Sequence, residues 1–121
     1  MGFSMNIKRL VVCTLLLMPF KLFANTIIVR GSIDCGDWLK AREVQQSSLY
    51  ETYVIGVVNG MAIGRWIDLW NFEGNSISGN QVFYWLDNYC KKNPLKDVNS
   101  AIFEFADERT DGAWSSVRKN S

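Results

Sequence analysis

The chain contains no histidine. That absence removes the commonest general base, and with it the Ser-His and Cys-His nucleophile pairs. It also rules out the usual zinc sites, because Cys35 and Cys90, the two cysteines outside the N-terminal apolar run, cannot complete one without a histidine. No G-x-S-x-G turn, phosphate loop or metal-ligand spacing occurs. Gly60-Met61-Ala62-Ile63-Gly64 lies inside a helical pattern rather than at a helix start, so it is not a phosphate cradle. Carboxylate chemistry remains formally open to Asp34 with Asp37, or to Asp107, Glu108 and Asp111. Acids at helix starts usually act as caps and dipole partners, and those near the C-terminus read as a solvated face. The expectation is a non-enzyme that uses no cofactor and no metal.

A charge excess of one sign is also missing, with 13 Lys and Arg against 12 Asp and Glu. Long apolar runs are scarce too. Leu10 to Phe20 is 11 residues, contains Pro19 and stops at Lys21, whereas a spanning helix needs about 20. Lys8 and Arg9 precede this run and Leu22-Phe23-Ala24 follows it, which is the order of a secretory signal. Residues 1–24 are therefore expected to be a cleaved signal peptide, with either Met1 or Met5 as the start. Residues 25–121 then form one extracytoplasmic, periplasmic domain. The signal takes three basic residues with it and leaves ten against 12 acids, a net of −2. That balance argues against nucleic acid or an anionic membrane as partner, and no stable membrane insertion is expected after cleavage. Cys13 also leaves, so Cys35 and Cys90 remain as an even pair in an oxidising compartment, predicting a disulfide.

Periodicity predicts an all-α, compact four-helix domain. Thr26 to Arg30 is a short β-prone arm. Ser32 or Asp34 caps a first helix reaching about Gln46, and Ser48-x-x-Glu51 is a capping box for a second helix from Leu49 to about Trp70. Apolar residues occur on all sides of this second helix, which predicts the central, mostly buried element. Gly56, Gly60 and Gly64 form one ridge along it. Three mid-helix glycines cost about 1 kcal/mol each relative to alanine, so a close-packed helix or ring is expected against them. Asn71 to Asn80 reads as a polar loop and Asn80 as the cap of a third helix to about Lys92. Pro94 is placed for the first turn of a fourth helix, whose apolar stripe is Val98, Ala101, Ile102, Phe105 and Ala106. Residues 110–121 are expected to dock through Trp114 or to fray.

Long ordered loops often carry function, and aromatics left outside a core suit protein recognition. Trp70, Phe72, Glu73, Asn75, Ser76 and Tyr84 are accordingly the candidate partner-binding residues.

Ile77-Ser78-Gly79-Asn80-Gln81, the helix Val82 to Tyr89, Lys92-Asn93-Pro94-Leu95 and the stripe with Ala101 resemble the small periplasmic Tai-type immunity proteins. Tyr53 to Gly60 is similar to the glycine-spaced helix of that group. The resemblance implies an all-helical inhibitor of a type VI secretion amidase, with acid-stress chaperones of the HdeA type as architectural relatives. The expected partner is another protein, an effector enzyme or a client, and a homodimer is a further arrangement. Under the immunity reading, the Asn71 to Asn80 loop would enter the enzyme's cleft.

Overall fold

A computed structural model describes residues 30–119, with side chains through Ser116. The expected signal peptide and most of the β-prone arm lie outside the described residues.

Among those residues there are five helices and one hairpin: α1 (Cys35–Glu43), α2 (Ser48–Arg65), β1 (Asn71–Phe72), β2 (Asn75–Ser76), α3 (Gly79–Lys92), α4 (Val98–Arg109) and α5 (Ala113–Lys119). The mostly helical class is as expected, but five helices stand among the described residues where four were expected, the fifth in the tail that was expected to dock or to fray. Trp114 explains it. Its ring is buried, its backbone N–H donates to Thr110 Oγ1 at 3.0 Å, and the Arg65 guanidinium lies 4.5 Å over the ring.

The core forms where α3 packs on α1 and α4, with α2 laid on α4. Val98, Ala101, Ile102, Phe105 and Ala106 are all buried, so the stripe on α4 faces inward as its spacing requires. Val82, Phe83, Leu86 and Cys90 do the same on α3, against Trp38 of α1. Cys35 and Cys90 form the disulfide, both fully buried, with Cα atoms 5.0 Å apart. It fastens the start of α1 to the end of α3. Backbone bonds fix the same end of α1 to the start of α4, from Cys35 N to Lys96 O (3.0 Å) and from Val98 N to Ile33 O (2.8 Å).

Several boundaries depart from the sequence reading, each for a local reason. The helix α1 stops at Glu43, earlier than expected, because Gln45 takes φ 56°. The N–H groups of Gln45 and Gln46 bond back to Arg42 O and Ala41 O, closing a Schellman turn. The capping box expected at Ser48 and Glu51 does not form. Ser47 is the N-cap, and its hydroxyl donates to Glu51 Oε1 at 2.7 Å. A true capping box opens α3 instead, between Ser78 and Gln81 rather than at Asn80. Asp97 caps α4 by accepting from Ser100 N at 2.7 Å, so Pro94 lies in the preceding turn and not inside the helix.

The helix α2 is the largest departure. It ends at Arg65, where Trp66 turns left-handed at φ 55°, and only Val54 and Val58 are fully buried along it. The core therefore centres on α3 and α4, not on α2. The expected close packing of Gly56, Gly60 and Gly64 is also corrected. All three are exposed, and a Cβ at any of them would meet no neighbouring atom within 4 Å. The reason is angular: Gly56 lies two positions, about 200°, around the helix from Val54, so burying Val54 and Val58 turns the glycine ridge outward. No helix among the described residues is long and apolar enough to cross a membrane.

Tyr89 gives this packing a pH signature. Its ring stacks on Trp85 with centroids 5.5 Å apart. Burial raises its phenol pKa above the ordinary 10.0, and the charges of Glu104 and Asp97 push the same way. Below pH 10 both folded and unfolded chains keep the proton. Above it the unfolded chain releases the proton first, so stability falls as pH rises through the folded value. Thermal melts of the wild type should therefore drop more steeply above pH 10 than those of Tyr89→Phe. Parallel slopes would refute this.

Candidate functional site

Asn71 to Asn80, read from sequence as a loop, contains a hairpin. Its strands pair antiparallel, Asn71 with Ser76 and Phe72 with Asn75. The two-residue turn is Glu73-Gly74, with φ of 52° and 78°. Two positive φ values in succession define a type I′ turn, whose twist matches paired strands and which needs glycine or a tolerant residue at each place. The hairpin is only two pairs long, and an isolated hairpin is marginal in water. Something else must hold it.

Three side chains do so. Asp68 Oδ1 accepts from the N–H groups of Trp70 and Asn71, both at 3.0 Å, setting the entry to β1. Trp70 donates its indole N–H to Asn59 Oδ1 at 2.7 Å, which ties the same entry to α2. Arg109, the last residue of α4, donates Nε to Leu69 O at 3.0 Å and Nη2 to Trp70 O at 3.3 Å and to Asn75 O. One guanidinium thus joins the segment entering β1 to the first residue of β2. Charge-assisted bonds of this kind are stronger than neutral ones.

Beside the hairpin is a recess of about 350 Å³, lined by Asn75, Ile77, Gln81, Trp85, Phe105, Glu108 and Arg109. Its wall is aromatic, with Trp85 edge-on to Phe105 at 5.5 Å and its indole N–H donating to Glu108 Oε2 at 3.2 Å. Charges of both signs, Glu108 and Arg109, stand at its rim.

Of the residues picked from sequence, the structure gathers Trp70, Phe72, Glu73, Asn75 and Ser76 on or at the hairpin. Glu73, Asn75 and Ser76 are exposed, while Phe72 and Trp70 are half-buried. Tyr84 belongs elsewhere. It is 64% exposed, sits 5.8 Å from the Arg42 guanidinium of α1, and is not among the residues that line the recess, where α3 contributes Gln81 and Trp85 at i and i+4. Arg109, Gln81 and Trp85 escaped the sequence reading as site residues, and Glu108 entered it only as a carboxylate weighed for catalysis. The pair Glu73-Gly74 was the one local signal of a hairpin.

Of the carboxylates weighed for catalysis, Asp107 Oδ1 accepts from Ser115 N at 2.8 Å and Glu108 Oε2 from the Trp85 indole, while Asp34 precedes α1 as its N-cap residue without a side-chain capping bond. Among the described residues no cluster of three or more His, Cys, Asp or Glu side chains is placed to hold a metal ion.

Compared with protein-family models, with curated proteins and with solved structures, the chain matches none.

Proposed function

We propose that this chain is an exported, non-catalytic protein-binding domain of the periplasm, acting as an immunity-type inhibitor of a secreted cell-wall-degrading enzyme. The observation that carries the reading is the hairpin held open to solvent by Arg109 beside an aromatic recess. It is a partly exposed hairpin clamped to the end of α4 with a recess beside it, an arrangement suited to contacting another protein. The buried disulfide fits an oxidising compartment. The leader at residues 1–24, the missing histidine and the Tai-type resemblance favour the same reading.

The test uses the full chain, captured from a periplasmic extract with the enzyme it retains. The expected result is one stoichiometric partner that cleaves peptidoglycan and is inhibited by the bound chain. Phe72→Ala combined with Glu73→Lys should weaken that complex by about tenfold or more, as truncating an interface anchor does. Many clients retained only at acid pH would instead indicate a chaperone. Peptidoglycan cleavage by the purified chain alone would indicate a carboxylate-dependent hydrolase.

A further inference from the structure

The recess beside the hairpin lies where three elements meet. Gln81 and Trp85 come from α3, Phe105, Glu108 and Arg109 from α4, and Ile77 from the chain leaving β2. Its floor is apolar: Phe105 is 6% exposed, and Ile77 and Trp85 are half-buried beside it. Its rim is charged. Glu108 and Arg109 line one recess with opposite signs, yet they do not pair with each other. Both ion pairs among the described residues belong to Arg42. The reason is angular, because consecutive residues of a helix project about 100° apart.

Each polar group is fixed along one edge and bare along the other. The Trp85 indole donates to Glu108 Oε2 at 3.2 Å, which anchors that oxygen and leaves Oε1 without a partner among the described residues. Arg109 uses Nε and Nη2 on the carbonyls of Leu69, Trp70 and Asn75, and its Nη1 has no acceptor among the same residues. Gln81 Oε1 accepts from Ser78 N at 2.7 Å in the capping box, which leaves Nε2 as a spare donor. Groups held in place before a ligand arrives lose little freedom on binding it. The charges then select by elimination. A phosphate or other anion would face Glu108, and a simple cation would face Arg109. An uncharged apolar ligand would strip water from both charges without replacing its bonds, which is costly. A ligand with one charge of each sign beside an apolar group meets every demand. At ~30 Å³ for each water-sized share, a volume of about 350 Å³ holds about a dozen non-hydrogen atoms. That is one apolar amino acid, or a dipeptide of small residues.

We propose that this recess binds a zwitterionic ligand with an apolar side chain, supplied as a free amino acid or as a dipeptide. Glu108 Oε1 accepts from its ammonium group, and Arg109 Nη1 and Gln81 Nε2 donate to its carboxylate. Its side chain rests on Ile77, Trp85 and Phe105. The inference goes beyond the immunity reading and does not need it, because it concerns the purified chain alone. Capture of an enzyme can fail while this binding persists, and the reverse.

The test titrates free leucine and alanyl-alanine into the isotope-labelled full chain at neutral pH, followed by nuclear magnetic resonance. The Trp85 indole N–H and the Gln81 side-chain amide should shift together, with a dissociation constant of about 1 mM for so few ligand atoms. N-acetyl-leucine and leucinamide each lack one charge and should bind about tenfold more weakly or worse. Glu108→Gln keeps an acceptor for Trp85. It should bind leucine about tenfold more weakly while binding N-acetyl-leucine no worse than the wild type does, a selectivity that a general disturbance of the fold would not produce. Binding of leucine alone supports the proposal with a free amino acid as the source, and binding of alanyl-alanine supports it with a peptide. No shift from either probe up to ~10 mM overturns the proposal. Equal binding of the charge-blocked forms overturns it too, as does a Glu108→Gln variant that binds leucine like the wild type.

Discussion

Replacing Cys35 and Cys90 together by serine should lower stability by about 4 kcal/mol. The figure comes from the chain the bond closes: the two cysteines are 55 residues apart in sequence, and the cross-link removes that loop's freedom from the unfolded ensemble. For a single domain whose net stability is about 5–15 kcal/mol, this is a large fraction. Placement adds to the effect. α1 buries just Cys35 and Trp38 fully and is held at its start by the sulfur bridge and by two backbone bonds to the α4 entry. Without the bridge α1 should loosen first. Urea unfolding of the double variant against the wild type gives the difference directly. Because both sulfurs are fully buried, reduction of the wild type by dithiothreitol should be slow in buffer and fast in urea. A double variant within 1 kcal/mol of wild type would sink this account.

Asp87→Ala should cost about 3 kcal/mol. Asp87 lies on α3 and accepts from three donors of α1: Trp38 Nε1 at 2.8 Å, Arg42 Nε at 3.0 and 3.2 Å to its two oxygens, and Arg42 Nη2 at 2.9 Å. The Trp38 ring is fully buried, so removing its acceptor strands an indole N–H that water cannot easily reach. Arg42 would lose a two-pronged carboxylate while keeping Glu51 at 2.8 Å. The hydrogen bond that Arg42 donates to Asp87 raises the Arg42 pKa, with burial opposing it; the guanidinium is charged with or without this partner, so in the variant it must be resolvated. The side chains are 23% and 15% exposed, which keeps the expected loss below that of a fully buried pair. Asp87→Asn retains an acceptor for Trp38 but not the charge, and should fall between. In a double-mutant cycle, Arg42→Ala and Asp87→Ala should be strongly non-additive. Additive losses would mean that the two side chains stabilise the fold separately.

Both predictions concern long-range contacts, and that is where the sequence was hardest to read. Local signals did well where one period persisted. The stripe on α4 faces the core throughout, and the parity of cysteines after Cys13 named the bonded pair. The end of α2 was misjudged because Ile67, Leu69 and Trp70 continue its apolar spacing, while the left-handed turn at Trp66 has no glycine to announce it. The direction of the glycine ridge depends on which face α4 covers, a tertiary fact. The hairpin was missed because its strands are two residues each, shorter than any alternation that can be counted. Arg109 was invisible as a site residue for a different reason: it acts on backbone carbonyls 34 to 40 positions earlier, and a carbonyl has no sequence identity.

The clamp made by Arg109 has a consequence for how quickly the hairpin can serve. A two-pair ribbon left to itself would sample many shapes, and each encounter would have to wait for the right one. Bolted to the last turn of a buried helix, it moves with the core, so a partner of the kind proposed would meet it in a shape already set before contact. Docking can then approach a rigid-body event that orders few residues. Most of the difference between a good and a poor partner would then lie in how long the complex lasts, not in how fast it forms.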